Sequence, residues 1–384
     1  MTTTGLFWLN QLFSVDRAGL RRRLAEHHPA LNELPRRIAI LGAADEGRRL
    51  GEICRRHGVA IAAIVDDSPK RQGTIVADQR VESAGGLDAV DRDIPVIIAS
   101  HRTLDASRML KSKGFRHVSP FAALQILHGQ VFPPHMFHAG WFEDLLDHRD
   151  DYVRLAERLG DDLSRRTLDS VLAYRQTLDP ETLAEVTTPW ADLYLPAGLF
   201  TLGEHETYVD GGAYDGDTIR LFIERTGGRF EKVLGFEPDP ATFARLGANF
   251  AEEPRVIPIN AGLWSRADTL RFQNDAGRAS ILGEDGDVLV KVVALDEVLS
   301  GETCSFIKMN IEGAELDALK GAALTIRRFA PKLAISAYHR PSDLWEVAKV
   351  VDEIAPGYDL RLRQQCGGVV ETVLYALPRR RDAA

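Results

Sequence analysis

A chain of 384 residues, 45% apolar and 27% charged, has the length of two or three cored domains and an ordinary globular composition, which argues against a fibrous or disordered protein. Its net charge of −9 argues against a basic face for nucleic acid, and no run approaches the roughly 18 apolar residues that cross a bilayer. Cys54, Cys304 and Cys366 lie far apart without ligand spacing, which argues against a zinc site or a disulfide framework and suits a reducing cytoplasm.

The N-terminal stretch GLFWLNQLF lacks a basic approach and is interrupted by Asn10 and Gln11, so residues 1–35 read as a helical segment for surface or docking rather than a signal peptide. From Arg36 the text alternates strand and helix. RIAILG is a continuous apolar strand, ADEGRRLGEICRRHG an amphipathic helix closed by Gly58, and VAIAAIVDDSP a second strand. PVIIAS, the helix TLDASRMLKSKG and the short strand HVSPF follow. Continuous apolar strands interleaved with helices predict a parallel sheet covered on both faces, a Rossmann-like α/β domain over 36–128.

The first turn of that domain, Gly42 to Gly47, has Ala44 where a dinucleotide fingerprint has its second glycine, and it lacks the Lys-Ser/Thr of a phosphate loop. Asp66 and Asp67 nevertheless end the next strand, where an acid would meet a ribose hydroxyl. The plain reading is a tight strand–helix turn. The alternatives are a nucleotide or nucleotide-sugar site, or an NAD site that would make the chain an oxidoreductase. VDDSPKRQG resembles small N-terminal domains attached to some sugar-modifying enzymes.

Residues 129–200 carry helical period and no strand signal, as in FEDLLDHRDDYVRLAERLGDDLSRRTLDSVLAYRQTL, and read as a helical connector or cap. Tyr174, Arg175, Trp190 and Tyr194 there suit core packing; a crevice cap is the alternative. From 201 to 384 strand–helix alternation resumes, with Arg379 to Arg381 as a solvated tail.

The second glycine turn has more support. In YVDGGAYDGDT, Asp210 ends a strand, Gly211, Gly212 and Gly216 allow close backbone approach, and Thr218 is placed to cap the next helix. Tyr214 replaces a fingerprint glycine, which disfavours a pyrophosphate. KVLGF ends in Glu237, an acid that can accept two hydrogen bonds from a ribose diol, and RVIPIN ends in Asn260 and Ala261, where an adenine edge would lie. The turn and the following helix N-terminus suit a methionine-type carboxylate. Together the three strand ends point to S-adenosylmethionine.

Beyond these motifs, the C-terminal half resembles the FkbM family of S-adenosylmethionine-dependent methyltransferases. The resemblance runs from about Leu163 to Leu377. It is carried by VDGGAYDGDT, FEPDP, INAGLWS, LDEVL, FIKMNIEGAELDALKGA, PKLAISAYHRPSDLWEV and ETVLYAL, in family order. It implies a doubly wound methyltransferase sheet and methyl transfer, usually to a hydroxyl of a sugar or related natural product, with Asp210, Gly212, Gly216 and Glu237 at the cofactor. The family's aspartate after the fourth strand is Asn310 here, which can be neither base nor good cation ligand.

A sugar hydroxyl needs a base nearby. His339, just past KLAISAY, is the first candidate and a possible substrate contact; a surface or strand-capping histidine is its plain reading. Glu312 is the second candidate, expected to begin the helix EGAELDALKGAALTIRRF, where a carboxylate favours the helix dipole. Glu315 and Asp317 read as helix-surface charges. Lys308 shares a strand face with Asn310 and is either paired with an acid or aimed at substrate. The glycine-rich loop Asn274 to Asp287 reads as a substrate lid or a hairpin connection. The expected partner is a small-molecule or glycan acceptor, nucleotide-linked in one version, with no metal and no nucleic acid. Exposed sheet edges leave a homodimer open. A non-catalytic cofactor- or glycan-binding protein is the competing class.

Overall fold

The computed structural model describes residues 5–273, 281–282 and 288–379. The expected lid, Asn274 to Asp287, falls outside them apart from 281–282. The chain divides into two compact units: residues 1–153, 165–187 and 366–370 form one, and residues 154–164, 188–365 and 371–384 the other. The helical segment expected as a connector is shared between them.

The first unit begins with α1 (Phe7–Gln11) and α2 (Arg17–His27). Leu9 and Leu12 are fully buried, and the Leu9 N–H donates to Asp169, so this segment is anchored rather than loose on the surface. A sheet follows, with β1 (Arg37–Leu41), α3 (Asp45–His57), β2 (Ala60–Val65), β3 (Ile75–Val76), β4 (Gln79–Glu82), β5 (Val96–Ile98), α4 (Thr103–Ser112), β6 (Val118–Pro120) and α5 (Phe121–Leu127). Its order is β3-β4-β2-β1-β5-β6, parallel except for the β3–β4 pair. The apolar runs read from sequence supply its core: Ala39, Leu41, Val65, Val96 and Ile98 pack with Leu110 and Phe115. Helices α6 (Trp141–Asp147), α7 (Arg149–Arg158) and α8 (Asp162–Thr177) follow.

The first glycine turn is closely packed. Gly42 has φ +104, and a Cβ on Gly47 would stand 1.9 Å from the Gly42 carbonyl oxygen. Helix α3 can approach β1 this closely only because Gly47 has no side chain. Asp66 is buried, and its carboxylate accepts the Ala43 N–H at 2.7 Å and the Ser68 N–H at 2.8 Å. The acid that would meet a ribose in a dinucleotide site here ties two turns together.

The second unit holds β7 (Thr207–Gly211), α9 (Asp217–Arg225), β8 (Lys232–Phe236), α10 (Pro240–Asn249), β9 (Val256–Ile259), β10 (Gly262–Leu263), β11 (Asp268–Gln273), β12 (Ile281–Leu282), β13 (Val288–Val293), α11 (Leu295–Leu299), β14 (Phe306–Met309), α12 (Glu315–Gly321), α13 (Ala323–Phe329), β15 (Lys332–Ser336), α14 (Asp343–Ile354), β16 (Asp359–Gln364) and β17 (Thr372–Leu377). The main sheet runs β16-β17-β15-β14-β7-β8-β9, with β17 antiparallel to both neighbours. The short strands β10 to β13 form a separate sheet. Tyr208 stacks on Phe306 at 4.9 Å and on Phe222 at 4.6 Å, fixing β7 against β14 and α9.

The chain leaves β7 for β8 and β9 on one side and returns to β14 on the other. That reversal opens a crevice at the carboxyl ends of β7 and β14, the position at which doubly wound sheets bind ligands.

Gly47→Ala should lower the thermal unfolding midpoint, by roughly 1–3 kcal/mol of lost stability, because the added methyl has no room. A midpoint that is unchanged or raised, as alanine's helix propensity alone would give, contradicts the packing reading.

Candidate functional site

The site begins with a buried ion pair. In the parallel register of β7 and β14, Lys308 stands opposite Asp210. The Lys308 Nζ donates to Asp210 Oδ1 at 2.8 Å, to the Gly212 carbonyl at 2.8 Å and to the Gly211 carbonyl at 3.1 Å. Burial raises the Asp210 carboxyl, while the Lys308 charge and the Thr218 hydroxyl pull it back down. The ammonium also faces the Tyr194 ring at 5.1 Å. Lys308 is thus the paired lysine, and its three donor contacts leave it organising the glycine turn rather than reaching towards an acceptor. Asp210, fully buried, supports the turn from beneath.

The turn leaves little freedom. Gly212 has φ +74, and a Cβ there would stand 2.0 Å from the Asn310 carbonyl oxygen. Gly216 caps α9 in a left-handed conformation, without a side-chain cap. Thr218 lies inside the first helical turn, so the expected capping role passes to Gly216, while Asp217 accepts the Thr218 N–H. Tyr214 has φ +50 and a half-exposed ring, with the Arg245 guanidinium 5.8 Å away.

Glu237 follows β8 and is nearly buried. Its Oε2 accepts the Tyr214 N–H at 3.0 Å and its Oε1 accepts the Asp239 N–H at 2.9 Å. Burial lifts its carboxyl to about 7 against these two donors. The acid therefore bridges the glycine turn and its own loop, and each oxygen retains acceptor capacity for a diol. The Asn260 side-chain amide donates to the Glu237 carbonyl at 2.9 Å and the Pro238 carbonyl at 3.1 Å, so it ties the third strand end to the second. Ala261 is buried beside it. The three strand ends singled out in the sequence are joined by hydrogen bonds into one surface.

Across the crevice, Asn310 follows β14 and its Oδ1 accepts the Tyr338 hydroxyl at 3.3 Å. Glu312 does not begin the helix: it sits in the preceding turn at φ +54, and α12 starts at Glu315. Glu315 is not a surface charge either. It is fully buried, with Oε1 accepting the Ile311 N–H at 2.8 Å and lying 3.0 Å from His339 Nδ1. His339 is also fully buried, and its Nε2 lies 3.6 Å from Glu312 Oε2. Burial alone would lower the imidazole, but the Glu315 and Glu312 carboxylates prevail and raise it to about 9. It is therefore a cation near neutrality, neither a surface residue nor an open base. The Glu315 carboxyl is correspondingly lowered, its burial outweighed by the His339 charge. Asp343, at the start of α14, is held up to about 7 by burial and the Glu315 charge. Glu315, His339 and Asp343 bring carboxylate oxygens and an imidazole nitrogen within 4.8 Å of one another, so this cluster could hold a metal ion. Sequence reading missed the burial of Glu315 and Asp343; the spacing Glu312–Glu315 and His339–Asp343 was the available signal.

Residues 210–367 match the family model of the methyltransferase FkbM domain. Over 96% of its length the chain is similar to 97% of the crystallised methyltransferase FkbM from Methylobacillus flagellatus KT, at 27% identity and a TM-score of 0.73. Aeropyrum pernix fibrillarin with natively bound S-adenosyl-L-methionine aligns at 14% identity over 48% of this chain and 73% of that one, TM-score 0.32. An rRNA methylase from Streptococcus thermophilus aligns at 15% over 50% and 91%, TM-score 0.30. No curated protein matches. Residues 210–367 form an FkbM-type methyltransferase domain, a family that implies S-adenosylmethionine as the methyl donor.

Glu237→Ala should weaken S-adenosylmethionine binding about a hundredfold or more, since two charge-assisted hydrogen bonds of roughly 1.5–3 kcal/mol each are lost. Wild-type affinity should also fall below pH 7 as the carboxyl gains its proton. The sign for folding is opposite: a raised acid contributes stability that is full below about 4.5 and lost as pH rises through about 7. Calorimetry across pH reads the binding effect, and unchanged affinity in the variant removes Glu237 from the cofactor site.

Proposed function

We propose that this methyltransferase domain moves the methyl group of S-adenosylmethionine to a hydroxyl oxygen of a sugar, glycan or related natural product, and that Glu312 receives the hydroxyl proton. The carbon–sulfur bond breaks as the carbon–oxygen bond forms, sulfur keeps the electron pair as a thioether, and the proton passes to the carboxylate. The donor is already activated, so the protein's task is to place the acceptor in line and remove its proton.

The observation that carries this reading is the position of Glu312. Its side chain keeps 27% exposure at the carboxyl end of β14, on the crevice, while His339, Glu315 and Asp343 behind it are sealed from solvent. His339, the first candidate for the base, is fully buried with its Nε2 3.6 Å from Glu312, and so is better placed to orient that carboxylate than to reach an acceptor. Asn310 supports hydrogen bonding to an acceptor rather than proton removal. The class of acceptor rests on the FkbM resemblance, and the N-terminal unit is proposed to hold the acceptor, its nucleotide carrier or a partner chain.

Incubation with labelled S-adenosylmethionine and a panel of nucleotide-sugars and glycan extracts should place label in a product that survives mild base, as an ether does and a methyl ester does not. Glu312→Gln should lower turnover about a hundredfold to ten-thousandfold, with cofactor affinity retained. Full turnover in that variant excludes Glu312 as the base, and base-labile label excludes the hydroxyl acceptor.

A further inference from the structure

The buried cluster behind Glu312 contains two carboxylate oxygens that accept no hydrogen bond. Glu315 and Asp343 come from the first residues of α12 and α14, and His339 from the segment between β15 and α14. All three are 1% exposed or less. One oxygen of each acid is used: Glu315 Oε1 accepts from Ile311, and Asp343 Oδ2 accepts the Arg340 N–H at 2.7 Å. The other oxygen of each, Glu315 Oε2 and Asp343 Oδ1, is buried and accepts no hydrogen bond. Buried acceptors are almost always satisfied, because leaving one bare costs its full desolvation. A single proton shared between the two oxygens cancels only one carboxylate charge. A divalent cation satisfies both and neutralises two carboxylates at once.

We propose that Glu315, His339 and Asp343 bind one divalent transition-metal ion, the imidazole giving up one of its two ring protons to solvent as the ion enters. Two carboxylates and an imidazole make a mixed oxygen–nitrogen donor set, which suits Mn²⁺, Fe²⁺ or Zn²⁺ better than Mg²⁺ or Ca²⁺, ions that prefer oxygen throughout. The supporting contacts are already in place. The Ile311 and Arg340 N–H groups hold one oxygen of each acid, as the outer partners of metal ligands commonly do. The three ligands lie on separate elements, so an ion here would staple the turn after β14 to the end of β15 and the start of α14. It would bind beneath the crevice, at a place distinct from the cofactor contacts of Glu237 and the glycine turn. This assignment does not depend on the acceptor or on Glu312 as base.

The test uses the full chain, stripped with a chelator and titrated with Mn²⁺ alone. Calorimetry should give one ion per chain, and saturating Mn²⁺ should raise the thermal unfolding midpoint, as for any ligand of the native state. Electron spin-echo spectroscopy of the wild-type complex should show a single histidine nitrogen coupled to the metal. Glu315→Gln and Asp343→Asn should each weaken binding at least tenfold. No uptake of Mn²⁺, with Zn²⁺ equally inert, overturns the proposal and leaves a cluster that holds protons only. Binding without nitrogen coupling in the wild type, or binding unaffected in both variants, also overturns it, as an adventitious ion elsewhere. The wild-type spectrum decides the matter even if a variant fails to fold.

Discussion

Everything in the cofactor region hangs on the contact between Lys308 and Asp210. Two adjacent parallel strands place a cation and an anion opposite each other with almost no access to water. Removing one partner of such a buried pair typically costs about 3–5 kcal/mol, because the survivor is left as an uncompensated charge. The lysine also donates to the carbonyls of Gly211 and Gly212, so the same ammonium that neutralises Asp210 sets the path of the glycine turn. That turn passes so close to the Asn310 carbonyl that only glycine fits. From there the order spreads outward: the turn presents the Tyr214 N–H to Glu237, and Asn260 holds the loop that carries Glu237.

The crevice thus has two differently built walls. The proposed donor wall is made of backbone groups and one nearly buried carboxylate, all referred back to the ion pair. The proposed acceptor wall is a short turn from Asn310 to Glu312, resting on the buried side chains of His339, Glu315 and Asp343. Glu312 takes a left-handed backbone conformation, which non-glycine residues adopt at a cost. The hydrogen bond from Ile311 to Glu315 and the nearby imidazolium hold the turn in that shape.

Much of this was legible before any coordinates. The apolar strands of both sheets, the closing Gly58 and the trio Asp210, Gly212 and Glu237 announce themselves through local chemistry: continuous β-branched runs, glycine where φ must be positive, an acid at a strand end. What escaped depends on non-local facts. The pairing of Lys308 with Asp210 requires the register of β14 against β7. The run Glu312-Gly-Ala-Glu315 has helical period throughout, and periodicity cannot say that the first acid stays in a turn and the second starts the helix in the core. Strand β16 was unread because Arg361 and Arg363 alternate through it like solvent-facing residues, whereas both pair with Asp161 at 2.8 and 2.7 Å. In the N-terminal unit the acid at the end of β2 suited a ribose by position, and its hydrogen bonds to the Ala43 and Ser68 N–H groups were not legible from sequence.

The most direct test of this hierarchy is the S-adenosylmethionine affinity of Lys308→Met, measured by calorimetry alongside the double variant Lys308→Met with Asp210→Asn. Lys308 need not touch the cofactor, so a simple contact account predicts no change. If the ion pair sets the turn, the single variant loses at least tenfold in affinity along with stability, and the double variant, which no longer buries a lone charge, recovers stability but not full affinity. Wild-type affinity in a folded Lys308→Met protein would contradict the account.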